Sequence, residues 1–452
     1  MRRILRYFSL SLALSVASTT LMAQSNKWRD IHTVKKKETI FSISRDYGLT
    51  IEELVKANPE MRADGYKLKK GSTVFIPFSS SNSSQISTKT DKRPTVVDDV
   101  RTRSIRLGVM LPLHDINGDG RRMIEYYRGV LMACDSLKKE GISVDVFTWN
   151  LAEDGNVASA LADRNAAQCD LIIGPLYSKF VPAMAQFVQQ HGNLLVIPFS
   201  INAPEVSTNR NIFQIYQSQE QLNESTTRRF CEWFKDYHPI IIDCADSESS
   251  KGQFTSMLRK LMDQRGMNYS LTSLSSTDDS FLKAFSTKQK NVVVLNTARS
   301  PQLNSVFGKL SAVSVANPNI HISMFGYTEW LMYVNHQLEN FYKYNVYIPS
   351  AFYTNLTSQA TERLQQKYRW NFHQDMMQSL PRFALTGFDH ALFFLRGLHK
   401  YGKAFDGAAG RFGYAPVQTP LKFERLGNGG LQNRSYMFVH YLPEHKVEIV
   451  NY

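Results

Sequence analysis

The chain has 452 residues, of which 43% are hydrophobic and 21% are charged, and its formal net charge is +13. This length exceeds one ordinary domain, so we expect two or three domains with sizeable buried cores. The mean hydropathy of -0.31 argues against an integral membrane protein.

The first 23 residues have the pattern of a secretory signal peptide. Arg2, Arg3 and Arg6 form a basic start, residues 7–16 are apolar, and small residues lead to Ala23. We expect cleavage after Ala23 and export of the mature protein, with no lipidated cysteine. The alternative, a membrane anchor, is disfavoured because the apolar stretch is far shorter than the roughly 20 residues that span a bilayer.

A linker is predicted downstream, because residues 79–100, "SSSNSSQISTKTDKRPTVVDDV", are rich in Ser, Thr and charge. We assign the linker to 79–103, between a small module at 31–78 and a large module at 104–452. Residues 1–103 hold 19 Lys/Arg and 10 Asp/Glu, so most of the excess positive charge lies in this part. It favours an anionic or glycan-rich polymer as a neighbour; no motif indicates nucleic acid.

The small module has the predicted order strand, helix, helix, strand. A strand is expected at 31–34, a helix at 39–47 that stops at Gly48, and a closing strand at 73–77. The second helix starts at Thr50, whose spacing to Glu53 is that of a capping box, and ends near Asn58.

The segments "HTVKKKETIFSISRDYGLTIEELVKANPE" and "LKKGSTVFIPF" closely resemble a LysM domain. The resemblance implies binding of N-acetylglucosamine-containing glycan, chiefly peptidoglycan. It places the glycan between the loop entering the first helix and the loop leaving the second, which here hold Glu38, Thr39, Ile40, Asn58, Pro59 and Met61. The usual Gly-Asp before the first helix is Lys37-Glu38 here, which reshapes one wall of that groove. The alternative is a folded LysM module that does not bind.

The large module alternates strands and helices. Strands are predicted at 105–111, 144–149, 171–173, 194–198, 240–243, 292–296 and 320–325. Helices are predicted at 122–139, 156–167, 178–190, 219–235, 251–264 and 300–316. Continuous apolar strands indicate parallel sheets covered on both faces, and about 350 residues favour two α/β lobes.

The segments "SIRLGVMLPL", "LIIGPLYSKFVPAMAQFVQQHGNLLVIPFSINAPEV" and "FALTGFDHALFFLRGL" resemble, in this order, a type I periplasmic binding protein of the branched-chain amino-acid receptor group. The resemblance implies two lobes with parallel-sheet sandwiches and a hinged ligand cleft. We assign the first lobe to about 104–217 and 350–418, and the second to about 218–349 and 419–452.

In amino-acid receptors of this fold, two first-lobe loops hold the ligand's ammonium and carboxylate. The resemblance matches these loops to Tyr177, Ser178 and Lys179, and to Ser200, Ile201 and Asn202. From the second lobe it matches Lys251, where an aromatic residue is usual, and Tyr327, with Glu329 beyond it.

The two lysines at these positions change the expected ligand. Lys179 stands where a second serine is usual, and a lysine offers three donors and no acceptor. Two lysines in a closed cleft oppose an ammonium group, and they suit a carboxylate, a phosphate or an acidic sugar. The other possibility is a cleft that serves a protein partner.

Other chemistry finds little support in the sequence. Residues 115–126 match calcium-loop spacing at first, but Tyr126 stands where the bidentate Glu belongs. HExxH, GxSxG and GxxxxGK[ST] are lacking, and Asp389-His390 is interpreted as packing. The cysteines, whose pairing stays open, have no metal-ligand spacing; they are Cys134, Cys169, Cys231 and Cys244. We expect no metal, no cofactor and no enzymatic activity.

The sequence thus predicts an exported, non-enzymatic envelope protein of the periplasm, bound to the cell wall through LysM. The two-lobed domain would act as a sensor, scaffold or regulator that engages a small anionic or amino-acid-like ligand or an envelope protein. The alternatives are a substrate-binding protein for uptake of amino acids or related solutes, and a peptidoglycan hydrolase without a recognised motif.

Overall fold

The computed structural model describes residues 28–62, 66–77, 99–356, 358–407 and 413–451. The predicted signal peptide and residues 79–98 of the predicted linker lie outside the described residues. Within the described ranges, no helix is both long enough and apolar enough to cross a membrane.

The small N-terminal module is a two-stranded antiparallel sheet with two helices. Strands β1 (Trp28–Thr33) and β2 (Thr73–Pro77) pair with each other. Between them lie α1 (Ile40–Asp46), α2 (Ile51–Ala57) and a 3-10 helix, Pro59–Arg62. The predicted strand-helix-helix-strand order is confirmed.

Reciprocal capping sets the starts of both short helices. The Thr39 hydroxyl accepts from the Ser42 N–H, and the Ser42 hydroxyl accepts from the Thr39 N–H. Thr50 and Glu53 form the same box at α2, as their spacing predicts. After α1 the chain turns at Gly48, whose φ is +64°, in the left-handed region that glycine favours.

The large module is built from alternating strands and helices. Its described strands are β3 (Ile105–Leu111), β4 (Val144–Asn150), β5 (Leu171–Ile173), β6 (Leu194–Ile197), β7 (Ile212–Gln214), β8 (His238–Asp243), β9 (Ser270–Ser273), β10 (Asn291–Leu295), β11 (Ile322–Phe325), β12 (Val346–Ser350), β13 (Phe423–Arg425), β14 (Leu431–Asn433), β15 (Met437–Leu442) and β16 (Lys446–Asn451). Its described helices are α3 (Gly118–Lys139), α4 (Val157–Leu161), α5 (Arg164–Gln168), α6 (Val181–His191), α7 (Gln219–Trp233), α8 (Gly252–Gln264), α9 (Asp278–Leu282), α10 (Ser300–Ala316), α11 (Val334–Lys343), α12 (Gln359–Phe372) and α13 (Phe383–Tyr401).

These strands form two seven-stranded sheets. The first has the order β13-β14-β7-β6-β5-β3-β4 and the second β16-β15-β12-β11-β10-β8-β9. In the second sheet β8 to β12 pair in parallel, whereas β15 and β16 are antiparallel additions at one edge. All residues of β5 and β10 are buried, as expected for strands covered on both faces. The predicted two-lobed α/β fold is confirmed.

The carboxyl-terminal segment departs from the predicted lobe boundary. We assigned 419–452 to the second lobe, but β13 and β14 join the first sheet, where β14 runs parallel to β7. The boundary at 418/419 is therefore wrong, and the chain reaches the second sheet only after Asn433. Gly429 and Gly430 permit this course, because a Cβ on Gly429 would lie 2.2 Å from the carbonyl oxygen of Ser207.

The single helix predicted at 156–167 is two short helices, α4 and α5. The break occurs at Asp163, whose side chain accepts a hydrogen bond from the Asn165 N–H and caps α5. Asp side chains compete with the helical backbone in this way. The break was not predicted because the apolar periodicity continues on both sides of it.

Helices α3 and α13 approach each other closely at two glycines. A Cβ on Gly129 would lie 1.9 Å from the carbonyl oxygen of Ala384, and one on Gly387 would lie 2.0 Å from that of Tyr126. No real Cβ contact is this short, so the crossing of the two backbones requires glycine at both positions.

Asp389 and His390 on α13 are fully buried. The Asp389 carboxylate accepts from the N–H groups of Val417, Gln418 and Thr419 at 2.9, 2.8 and 2.8 Å. Burial raises the pKa of Asp389 to about 7 against the effect of these bonds, and burial lowers the pKa of His390 to about 3. The carboxylate thus fastens the 417–419 segment to α13.

Candidate functional site

The loop that enters α1 is organised around Glu38. Its carboxylate accepts from the Lys35 N–H at 2.6 Å and lies 2.7 Å from His32 Nε2. Partial burial alone would raise the pKa of Glu38, but the hydrogen bonds from Lys35 and His32 outweigh this and lower it. Lys37 adopts a φ of +70° to complete the turn. Glu38, predicted to contact glycan, therefore holds its own loop together.

A chain of polar side chains continues from Glu38 into the module. His32 Nδ1 lies 3.1 Å from the Tyr47 hydroxyl, which donates to the buried Asp30 carboxylate at 3.0 Å. Since the Tyr47 hydroxyl donates to Asp30, its oxygen remains an acceptor for His32 Nδ1. The strand β1 thereby fixes the position of the loop before α1.

Asn58, at the end of α2, is completely buried. Its Nδ2 donates to the carbonyl oxygens of Leu54 and Phe75 at 2.8 and 2.7 Å, and its Oδ1 accepts from the Phe75 N–H at 2.7 Å. The amide thus bridges α2 and β2, and its hydrogen-bonding groups are engaged inside the module. Met61, in the 3-10 helix that Pro59 begins, is 7% exposed and belongs to the core.

An exposed aromatic side chain lies beside the predicted glycan residues. Phe41 is 62% exposed, whereas its neighbour Ile40 packs partly against the core and Thr39 caps the helix. Sequence reasoning missed Phe41. The signal was present: Ile40 and Ile43 define the apolar face of α1, and Phe41 falls off that face. Aromatic rings on a surface suit the apolar faces of sugars.

The first predicted ligand loop follows β5. Gly174 has a φ of +138° and a cis bond to Pro175, and a Cβ on it would lie 2.2 Å from the carbonyl oxygen of Met110. Ser178 begins a short 3-10 helix, Ser178–Phe180. The Tyr177 hydroxyl donates to Asp119 at 3.4 Å, and burial together with this carboxylate raises the pKa of Tyr177.

Lys179 is the exposed member of this loop. Its Nζ lies 5.4 Å from the centre of the Phe180 ring, a cation–π distance. Phe180 is buried, so it holds the lysine stem against the loop while the ammonium group stays accessible.

The second predicted ligand loop follows β6 and is held by β7. Gln214 Nε2 donates to the carbonyl oxygens of Ser200 and Ile201, both at 3.1 Å. The Ser200 hydroxyl donates to the carbonyl oxygen of Asn202 at 3.3 Å, within its own loop. Ile201 is 57% exposed, and Asn202 is exposed as well.

Lys251 and Tyr327 are brought together at the carboxyl ends of β8 and β11. Lys251 Nζ lies 2.7 Å from the Glu329 carboxylate and 5.0 Å from the centre of the Tyr327 ring. Tyr327 is buried, and its hydroxyl donates to the carbonyl oxygen of Leu295. Burial and then the Glu329 charge raise the pKa of Tyr327 well above its ordinary value. The positive charge predicted at Lys251 is therefore matched by Glu329.

A small depression of about 50 Å³ adjoins this pair. It is lined from α7, α8 and the segments after β11 and in β12 by Gln219, Leu222, Asn223, Thr226, Lys251, Phe254, Tyr327, Thr328, Glu329 and Pro349. Pockets for drug-sized ligands have roughly 300–1,000 Å³. This lobe by itself therefore offers little volume beside the ion pair.

Metal and thiol chemistry have no visible centre in the described part of the chain. There, no group of three or more His, Cys, Asp or Glu side chains is placed to hold a metal ion. The cysteines are free thiols, and burial raises the pKa of Cys169 and Cys244 to about 12. Such thiols are poor nucleophiles because the thiolate is the reactive form.

Comparison with protein families supports both resemblances. The LysM domain family matches residues 32–77, and the family described as periplasmic binding protein matches residues 104–414. No curated protein sequence matches the chain.

Several solved structures are similar to the large module. A branched-chain amino acid ABC transporter protein from Rhodospirillum rubrum aligns with TM-score 0.53 and 14% identity, covering 77% of this chain and 100% of that one. A periplasmic ligand-binding protein of the same transporter class from Burkholderia xenovorans LB400 has TM-score 0.45 and 14% identity, with 77% and 94% covered. LpoA from Haemophilus influenzae has TM-score 0.48 and 14% identity, with 77% and 59% covered. The first of these likenesses shows a shared fold.

Proposed function

Because the chain belongs to the periplasmic binding protein family and also contains a LysM domain, we propose that it is an exported, non-enzymatic envelope protein. It binds peptidoglycan through LysM and presents the two-lobed domain as a wall-associated sensor, scaffold or regulator. The observation that carries the proposal is the presence of both domains in one chain. A receptor held on the wall is poorly suited to shuttling solute, because tethering limits its diffusion to a transporter.

The geometry around Lys251 supports a regulatory or scaffolding role over amino-acid uptake. The resemblance expects an aromatic residue there, but the chain has a lysine that is already paired with Glu329. An amino-acid ammonium group needs free acceptors, and Glu329 is engaged by Lys251. The uptake alternative is supported by the serines after β5 and β6, Ser178 and Ser200, which retain the hydroxyl chemistry of amino-acid receptors.

Wall binding is tested by pelleting the mature full-length protein with purified sacculi. We expect the wild type to pellet and N-acetylglucosamine oligomers to release it. Phe41→Ala should reduce the pelleted fraction, since it removes the exposed ring beside the groove without touching the core. Ile51→Ala is the matched control, because Ile51 is also exposed, at 48%, but lies at the start of α2 and not at the end that leads to Asn58. Wild-type protein that stays in the supernatant at low salt would refute wall binding.

The role of the large module is tested by a thermal-shift screen with amino acids, organic acids and phosphorylated metabolites. A ligand that binds the folded state raises the melting temperature by mass action. A strong shift with an amino acid would favour uptake and contradict the scaffold proposal. Release of soluble muropeptides from sacculi would instead favour the hydrolase alternative.

A further inference from the structure

A larger depression lies at the amino-terminal ends of the parallel strands of the second sheet, opposite the strand ends that hold Lys251 and Tyr327. It has a volume of about 560 Å³ and is formed where β11 and β12 begin and β15 ends. We call it the amino-edge pocket. Its volume falls within the roughly 300–1,000 Å³ typical of sites for drug-sized ligands.

Two lysines supply the amino-edge pocket with positive charge. Lys290, just before β10, lies 5.9 Å from the centre of the Tyr237 ring, and Lys343, at the end of α11, lies 3.4 Å from the Ser311 hydroxyl. Neither forms an ion pair with any described carboxylate, in contrast to Lys251. Glu444 is the one acidic side chain in the lining, so the pocket keeps an excess of positive charge.

The floor of the pocket is a fixed set of polar groups around Asn345. Its Nδ2 donates to the Ser323 hydroxyl at 3.0 Å, and its Oδ1 lies 2.8 Å from His440 Nε2. Burial lowers the pKa of His440, which favours the neutral ring. In the tautomer that donates from Nε2 to Asn345, Nδ1 is a hydrogen-bond acceptor. Asn345 also has a φ of +45°, which these contacts hold in place.

Aromatic rings line the same space. Tyr347 and His440 are stacked with centroids 3.8 Å apart, and Tyr237 lies half-buried beneath Lys290. Flat rings next to amide, hydroxyl and imidazole groups suit sugars, which present apolar C–H faces and hydroxyl edges at once. Inorganic phosphate would use the lysines but would leave the rings without a role.

We propose that the amino-edge pocket binds a carboxylate-bearing saccharide. Lys290 and Lys343 hold the carboxylate, His440 bonds a hydroxyl, and the aromatic rings pack against the sugar. The site is separate from the LysM groove and would take acidic rather than N-acetylated neutral sugar. It does not depend on the wall-binding proposal.

Calorimetric titration of the mature full-length protein tests this site. The acidic probes are trigalacturonate, which lacks the N-acetyl group expected for LysM, and the disaccharide of N-acetylglucosamine and N-acetylmuramic acid. The uncharged control ligand is galactotriose. The test variant is Lys290→Ala/Lys343→Ala, and the matched control is Lys260→Ala/Lys288→Ala, which removes two other exposed lysines from the same lobe.

We expect at least one acidic probe to bind, galactotriose to bind more weakly, and the test variant to lose about three- to thirty-fold in affinity. The control variant should match the wild type. The proposal is overturned if neither acidic saccharide binds, if both double variants weaken binding equally, or if the test variant binds as the wild type does. Binding of a triglutamate peptide that the test variant loses, where neither saccharide binds, would also overturn it.

Discussion

The buried carboxylate of Asp389 should make the stability of the large module fall as pH rises. Its pKa is about 7 in the folded protein against 3.8 for the ordinary side chain. A folded-state pKa above the unfolded value means that the folded protein binds the proton more tightly. The stabilisation is therefore complete below about pH 4 and is lost as pH approaches and passes 7.

The two pKa values set the size of the effect. Between pH 5 and pH 8 the free energy of unfolding should fall by about 2–3 kcal/mol because of Asp389 alone. Asp389→Asn removes the titration, so its loss of stability between these two pH values should be smaller by that amount. The variant should also be less stable at pH 5 by about 1–3 kcal/mol, because an amide has one acceptor oxygen where three N–H groups converge.

Urea unfolding followed by circular dichroism at pH 5 and pH 8 measures this difference. Asp279→Asn is the matched control, because Asp279 is exposed and should leave the wild-type pH dependence unchanged. If Asp389→Asn and the wild type lose the same stability between the two pH values, the reasoning is wrong.

Three further changes have defined outcomes. Asn58→Asp places a carboxylate against two backbone carbonyls and should lower the stability of the small module by about 2–6 kcal/mol. The variant should therefore fail to pellet with sacculi, and its small module should become sensitive to protease. A protease-resistant variant would contradict this. Gly129→Ala should lower the melting temperature strongly because a Cβ would lie 1.9 Å from a carbonyl oxygen; Gly308→Ala, also helical but facing open space, should be neutral or stabilising, and equal effects would contradict the crossing. Lys251→Met should lower the free energy of unfolding, measured in urea, by at most about 1 kcal/mol, because the Glu329 side chain is 41% exposed and reaches water. A loss of several kcal/mol would contradict this expectation.

Much of the fold could be predicted from local patterns. The strands β2, β3 and β5 begin and end at the predicted residues, since each is a short apolar run bounded by breakers or polar residues. Seven described strands of the large module were not predicted: β7, β9, β12, β13, β14, β15 and β16. Of these, β13 and β14 are three residues long and carry polar side chains, and their place in the first sheet depends on how closely Gly429 and Gly430 approach distant backbone.

The candidate sites were less predictable because partners decide what a polar side chain does. Asn58 stands at a position that the LysM resemblance gives to the glycan, yet its amide is engaged inside the module. The sequence marks Lys251 as a departure from the family resemblance, but its neutralisation by Glu329 depends on how β8 and β11 lie on either side of β10. Phe41 was overlooked although helical periodicity places it off the apolar face that Ile40 and Ile43 define.

Because Lys251 is paired with Glu329, ionic strength should affect the two domains of the protein differently. Because the pair is internally neutral, it exerts little field beyond its own neighbourhood, and it should attract anionic polymer only weakly at any salt concentration. The basic residues before position 104 act at longer range, and their attraction to anionic polymer is screened once the Debye length falls to about 3 Å at 1 M salt. A high-salt wash should therefore weaken those wall contacts that depend on the basic residues before position 104.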